Sequence, residues 1–385
     1  MKPIKVISIF GTRPEAIKMA PLVRKLDKNE NIESKVCVTA QHRQMLDQVL
    51  DLFDIKPDFD LNIMKSKQSL TGITARVLEG LDKIFYEVKP DIVLVHGDTT
   101  TTFTAALAAF YKKIAVGHVE AGLRTYNKYF PFPEEMNRKL TGTIADLHFA
   151  PTTGSKQNLL NEGINEKNIF VTGNTVIDAM NHTVEDNYVF ENDELNKLDY
   201  KNKKVIMVTA HRRENWGKGI ENICTALRRI VEENEDVELV YLVHLNPVVR
   251  EVVYKNLNGM RGVHLLPPLD TKETHNLMNR CFMVMTDSGG LQEEAPHLGK
   301  PVLVLRDVTE RPEAVDAGTV KLVGTDVKKI VEEAYKILRD EKEYQKMSKA
   351  INPYGDGNAA DRIVDAILYH FGYIKDRPCD FIINK

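Results

Sequence analysis

The chain has 385 residues, of which 43% are apolar and 28% charged, with a formal net charge of −3. That length suits two domains rather than one core, and the composition is that of a soluble globular protein. The near-neutral balance gives no reason to expect nucleic acid as a partner, and no apolar run is long enough to span a membrane. The first apolar run, Ile4 to Phe10, is too short for a signal peptide. Four scattered cysteines (Cys37, Cys224, Cys281, Cys379) suggest no disulfide framework, so a cytoplasmic protein is the default.

Taken in chain order, short β-branched runs alternate with amphipathic patterns. Strands are predicted at 5–10, 35–39, 92–96, 114–119 and 147–150. Helices are predicted at 14–26, 70–88, 100–111 and 134–144. Strands apolar on both faces and joined by helices indicate a parallel sheet covered on each side. The pattern repeats, with strands at 205–209, 237–243, 263–266, 282–286 and 302–305. The accompanying helices are 219–231, 272–280, 291–298 and 328–338. Both halves open alike: Phe10-Gly-Thr-Arg-Pro-Glu15 and Val208-Thr-Ala-His-Arg-Arg-Glu214 each take a strand into a basic loop and then a helix. The fold class is therefore α/β, with two doubly wound Rossmann-like domains facing a cleft. The first domain spans 1–172, the second 173–358, and a helix within 359–385 crosses back to the first.

Two strands run into carboxylates. Ile92–His96 leads to Asp98 and a threonine run, Thr99 to Thr102. The strand ending at Val119 leads to Glu120. Open α/β sheets bind ligands at the carboxyl ends of their strands, so these acids mark where the chemistry is. His96 and Asp98 are two apart, as are His118 and Glu120. In an extended strand each pair would share a face. The spacing permits a metal, but no further His/Cys cluster adjoins, and hard divalent metals favour a carboxylate-rich shell. The expectation is no metal, with the histidines supporting the carboxylates.

The second half carries a binding signal at Met285-Thr-Asp-Ser288-Gly289-Gly290-Leu-Gln-Glu293-Glu294. A strand ends, glycines admit a close ligand, and the N–H groups of a helix start attract phosphate. Glu294 could accept hydrogen bonds from ribose hydroxyls. A plain Gly-Gly turn before an acidic first helical turn explains the same residues. Cations at other strand ends favour the nucleotide diphosphate: Arg13 and Lys18 in the first half, and His211, Arg212, Arg213, His244, Arg306 and Arg311 in the second. Gly355-Asp-Gly357-Asn-Ala-Ala360 fits a loose dinucleotide pattern, yet it follows Pro353-Tyr354 rather than a strand, so no nicotinamide cofactor is expected. Thr39-Ala-Gln41-His42-Arg43-Gln44 ends a strand and opens a helix. It reads as plain surface or as a second ligand contact.

Jointly these motifs are familiar. Gly11-Thr-Arg-Pro-Glu-Ala-Ile-Lys18, Thr39-Ala-Gln-His-Arg43, His96-Gly-Asp-Thr-Thr-Thr-Thr102, Gly117-His-Val-Glu-Ala-Gly-Leu-Arg124 and Pro133-Glu-Glu-Met-Asn-Arg138 occur in order. Gly173-Asn-Thr-Val-Ile-Asp178, His211-Arg-Arg-Glu214, Thr286-Asp-Ser-Gly-Gly290 and Thr309-Glu-Arg-Pro-Glu313 follow. The chain closely resembles the non-hydrolysing UDP-N-acetylglucosamine 2-epimerases. The resemblance implies a glycosyltransferase-B-type fold and a homodimer. It also implies interconversion of UDP-N-acetylglucosamine and UDP-N-acetylmannosamine, without a cofactor, for surface polysaccharides.

By the same resemblance, Asp98, Glu120 and Glu134 are the acid–base candidates, with base and acid unassigned among them. Crowding of the three acids would raise a carboxylate pKa towards neutrality. His211 and Arg13 would stabilise the departing diphosphate. Lys18, Arg213, His244, Ser288, Gly289, Gly290, Glu294 and Arg311 would contact substrate. Gln41, His42, Gln44, Lys67 and Gln68 match a region where a second substrate molecule acts as allosteric activator. Lys67 stands where some members carry arginine.

Overall fold

The computed structural model describes residues 2–40, 43–64 and 69–382, apart from the side chains of Gln44 and Met45. The chain divides into two compact units, residues 1–182 with 354–385, and residues 183–353.

The first unit begins β1 (Ile4–Phe10), α1 (Arg13–Asp27), β2 (Ile32–Val38), α2 (Arg43–Leu52), β3 (Phe59–Asp60) and α3 (Leu70–Val88). It continues β4 (Ile92–His96), α4 (Thr100–Tyr111), β5 (Ala115–Val119), α5 (Glu134–Ile144), β6 (Leu147–Ala150), α6 (Thr153–Asn161) and β7 (Ile169–Val171). The strands form one sheet in the order β3-β2-β1-β4-β5-β6-β7. All its pairings are parallel. Every residue of β4 is buried, as a strand covered on both faces requires. On α3 the buried residues Ile73, Val77, Leu81, Ile84 and Phe85 recur at helical spacing, and Ser69 caps its start by accepting from Gly72 N at 3.1 Å.

Helices α7 (Thr175–Thr183) and α8 (Asp193–Lys197) precede the second sheet. That sheet is built from β8 (Lys204–Thr209), α9 (Lys218–Glu232), β9 (Val237–Leu242), α10 (Pro247–Leu257), β10 (Val263–Leu266) and α11 (Thr271–Arg280). Next come β11 (Met283–Thr286), α12 (Leu291–His297), β12 (Val302–Val304), α13 (Pro312–Asp316), β13 (Val320–Leu322), α14 (Val327–Arg339) and α15 (Glu341–Ser348). Its strand order is β10-β9-β8-β11-β12-β13, again parallel throughout. The last helix, α16 (Ala359–His370), belongs to the first unit. Its Ile363, Val364 and Ile367 share a core with Ala16, Met19 and Leu22 of α1, and Lys25 pairs with Asp361 at 2.7 Å.

In both sheets the strand order reverses direction beside the first strand, between β1 and β4 and between β8 and β11. Loops leaving those strands diverge, which opens a crevice for ligand. Strands β3, β7 and β13 were not anticipated, because two or three residues are too few to show a period. Strand β2 starts at Ile32, earlier than predicted, since polar Glu33, Ser34 and Lys35 still pair with β1. Among the described residues no helix is long and apolar enough to cross a membrane.

Candidate active site

In the first unit the loops leaving β1, β4 and β5 carry the candidate acids and cations. Thr12 caps α1, and Glu15, one turn on, completes a capping box. Glu15 is fully buried. Its Oε2 accepts from Gly11 N at 3.0 Å and Thr12 N at 2.8 Å. Its Oε1 accepts the hydroxyls of Thr99 at 2.7 Å and Thr102 at 3.1 Å. Burial pushes its carboxyl above the ordinary range, opposed by those hydrogen bonds. One carboxylate thus fastens the loop after β1 to the loop after β4. Gly11 permits this approach, since a Cβ there would lie 2.9 Å from Thr101 Oγ1, after β4, and 2.0 Å from Thr39 Oγ1, after β2.

Asp98 does not sit on the strand face with His96. The chain leaves β4 through Gly97 at φ +67, and Glu120 itself adopts φ +61 beyond β5. The side-chain alternation of an extended strand therefore ends before each acid. Asp98 accepts from Arg138 NH2 at 2.7 Å, and its carbonyl accepts from Asn137 Nδ2 at 2.9 Å. Glu120 receives Lys18 Nζ and Asn174 Nδ2, the latter at 2.7 Å. His96 Nε2 lies 3.8 Å from the same oxygen. Asp98 and Glu120 are therefore each paired with a cation, Arg138 and Lys18. Glu134 opens α5, half-buried, its carboxylate with no hydrogen bond or ion pair to another described residue. Its neighbour Glu135 is buried and accepts from Thr125 N and Tyr126 N at 3.0 and 2.9 Å. Arg13 is half-buried at the first position of α1.

The histidines divide in role. Burial holds His96 down to about 4 and His118 down to about 3, so both rings are neutral at pH 7. A carbonyl can only accept, so the 2.7 Å contact between His118 Nε2 and Gly97 O puts the ring proton on Nε2. His118 thus holds the turn that delivers Asp98, and His96 stands beside Glu120. Among the described residues no group of three or more His, Cys, Asp or Glu side chains could hold a metal ion.

In the second unit Asp287, after β11, accepts through Oδ2 from His211 N and Arg212 N, both at 2.8 Å, and from Asn215 Nδ2 at 3.0 Å. His211 stacks on His244 with ring centroids 5.3 Å apart. Burial lowers the His211 pKa, and Asp287 opposes that shift. Ser288, Gly289 and Gly290 lead into α12, and a Cβ at Gly289 would meet Arg311 Cζ at 3.5 Å and Arg212 NH2 at 3.7 Å. Two guanidinium groups therefore adjoin that glycine backbone. Arg213, by contrast, is exposed and lies over the Trp216 ring at 5.4 Å. Arg311 also donates to buried Glu293 at 2.6 Å, and Glu294 lies 3.5 Å from His275. Arg306 is buried between Glu214 at 2.6 Å and Glu310 at 2.7 Å, which corrects its reading as a diphosphate contact.

Of the proposed activator residues, Gln41, His42, Lys67 and Gln68 lie outside the described residues, as does the Gln44 side chain. Sequence reasoning assigned no role to Glu15, Arg138, Asn174 or Asp287. The T-x-x-E capping signature could have found Glu15. The others have no local signal, since their partners are far away in the chain.

A family model described as UDP-N-acetylglucosamine 2-epimerase matches residues 24–368. The chain belongs to the UDP-N-acetylglucosamine 2-epimerase family. It is 88% identical over 385 residues to a Clostridium acetobutylicum protein named as a putative UDP-N-acetylglucosamine 2-epimerase, with both chains covered in full. A Listeria monocytogenes structure named likewise superposes with a TM-score of 0.93 at 55% identity, covering 99% of this chain and 100% of that one. The Neisseria meningitidis epimerase bound to UDP-GlcNAc superposes with a TM-score of 0.87 at 52% identity, over 95% of this chain and 100% of that one. The two parallel-sheet units are those of the glycosyltransferase-B-type fold of this epimerase family.

Proposed function

We propose that this protein interconverts UDP-N-acetylglucosamine and UDP-N-acetylmannosamine at C2 by eliminating and re-adding UDP. The C2 proton is not next to a carbonyl, so simple deprotonation is too costly. In the elimination a carboxylate removes that proton. The C–H pair becomes the C1=C2 double bond of 2-acetamidoglucal, and the C1–O pair leaves with the β-phosphate of UDP. UDP then adds back to C1 while a proton reaches the opposite face of C2, so the overall reaction is an isomerisation. Asp98, Glu120 and Glu134 share the proton transfers. His211 and Arg13 stabilise the departing diphosphate, with Lys18, Arg213, His244, Ser288, Gly289, Gly290, Glu294 and Arg311 contacting substrate.

Glu120 is the observation that carries this reading. Lys18 and Asn174 both donate to one of its oxygens, an arrangement that fixes a carboxylate in place for proton transfer. The UDP-GlcNAc bound by the Neisseria meningitidis relative supports the same nucleotide sugar as substrate here. In this reading the enzyme is a cytoplasmic homodimer supplying activated sugar for surface polysaccharides, and a second substrate molecule at the 41–44 and 67–68 region activates it. Exposed Tyr86, Phe110 and Tyr111, near the carboxyl ends of neighbouring α3 and α4, support self-association.

Proton NMR in deuterated water tests the reaction. Incubation with UDP-N-acetylglucosamine should yield UDP-N-acetylmannosamine carrying deuterium at C2. Product with protium at C2, or free N-acetylmannosamine as the main product, would overturn the proposal.

A further inference from the structure

The two units repeat one device: a buried carboxylate ties the loop after the first strand to the loop after its switch-point neighbour. In the first unit it is Glu15, and both of its oxygens accept hydrogen bonds. In the second it is Asp287, and there only Oδ2 is used, by His211 N, Arg212 N and Asn215 Nδ2. Asp287 is 0% exposed, and its Oδ1 is buried without a hydrogen-bond partner. A bare carboxylate oxygen in a protein interior is costly, so its surroundings call for an explanation. The group facing it is His211 Nδ1, at 3.4 Å.

We propose that Asp287 is the positioning residue of His211: it keeps a ring proton on Nδ1 and leaves Nε2 for the substrate diphosphate. This rests on the role given to His211 above. Two acceptors facing each other would repel, so the carboxylate selects the tautomer with Nδ1–H. Stacking on His244, with the rings inclined by 16°, restricts the ring from its face. His244 Nδ1 is itself occupied, accepting from Asn246 N at 3.1 Å. When His211 takes a second proton from solvent at Nε2, Nδ1–H stays on Asp287 and Nε2–H can donate to the phosphate oxygen that receives the C1–O pair. The 3.4 Å contact can tighten when the ring becomes cationic, since the charge strengthens an Nδ1–H bond to a carboxylate.

Asp287→Asn separates positioning from simple structure. The amide oxygen would keep the three N–H donors now on Oδ2, and the amide NH2 would then face Nδ1. That reverses the preferred tautomer and puts the proton on Nε2. Nitrogen-15 NMR of histidine-labelled protein should show His211 protonated at Nδ1 in the wild type and at Nε2 in the variant. Turnover should fall about 100-fold or more while UDP affinity stays within about threefold. In a His211→Gln background, adding Asp287→Asn should change turnover less than about threefold. An Nε2–H tautomer in the wild type would overturn the proposal, and so would an unchanged tautomer in Asp287→Asn. An equal loss in both backgrounds would also overturn it, since Asp287 would then act without His211. Full activity in His211→Gln alone would remove His211 from the reaction, while the tautomer measurement would still judge Asp287. Should Asp287→Asn fail to fold, the wild-type tautomer decides.

Discussion

Asn174 Nδ2 lies 2.7 Å from Glu120 Oε2, though 54 residues of chain separate them. The amide comes from the loop between β7 and α7, and the carboxylate from a left-handed residue after β5. Asn174 is buried, and its own N–H donates to Tyr354 O at 2.6 Å, so its side chain has a fixed origin. Orientation of a reacting carboxylate is worth a large factor in rate.

Asn174→Ala should therefore lower kcat about tenfold or more, with KM for UDP-N-acetylglucosamine changed much less. Steady-state kinetics with a coupled assay measures both. A change in KM alone would place Asn174 in ground-state binding instead.

Arg138 joins Asp98 at 2.7 Å and Glu135 at 3.5 Å through a nearly buried guanidinium. Arg138→Lys keeps the charge and loses the fork, so one of the two contacts must go. Turnover should drop about tenfold while UDP binding by calorimetry stays near normal. Wild-type turnover would show that Asp98 needs only a nearby charge.

Gly122 follows the Glu120 turn at φ +91, and a Cβ there would lie 2.3 Å from the backbone oxygen of Ser155. Neither the strain nor the clash can be relieved by turning a side chain. Gly122→Ala should cost about 2 kcal/mol or more of stability, read as a lowered melting temperature by calorimetry. An unchanged Tm would mean that α6 shifts freely, contrary to its packing.

Asp178 accepts from Ala360 N at 2.8 Å and Ala359 N at 3.2 Å, so it anchors the start of α16. Burial raises its carboxyl from 3.8 to about 6, with Asp361 adding to the rise and the two N–H groups opposing it. The folded state thus favours the protonated acid. Its contribution to stability is full below the unfolded value and is lost as pH climbs through the folded one. Relative to Asp178→Asn, the wild type should lose up to about 3 kcal/mol between pH 4 and 7. Urea unfolding of both proteins at those pH values measures the difference. A difference that does not change with pH would rule this account out.

Elements with caps and full apolar runs were legible in the sequence. The bounds of β4, α3, α4 and α5 are those predicted, since Ser69 and Thr99 cap helices and β4 is apolar on both faces. The loops bearing Asp98 and Glu120 could be located for the same reason. Their geometry could not. A glutamate at positive φ has no sequence signal, and Arg138 meets Asp98 across 40 residues. Cations at strand ends looked alike in sequence, yet Arg306 is enclosed by two glutamates while Arg212 adjoins Gly289. That distinction depends on tertiary packing, not on neighbours in the chain.

Residues 183–353 interrupt the first unit, whose final piece starts at Tyr354. On a ribosome, the strands of the first sheet would emerge long before α16, whose Ile363 and Ile367 complete their core. The early unit would therefore wait, with one flank of α1 uncovered, while the inserted unit is made. The inserted unit has no such delay, because its own chain is continuous. Expressed alone, 183–353 should fold more readily than a fragment ending at residue 182, which would expose the apolar face that α16 otherwise covers.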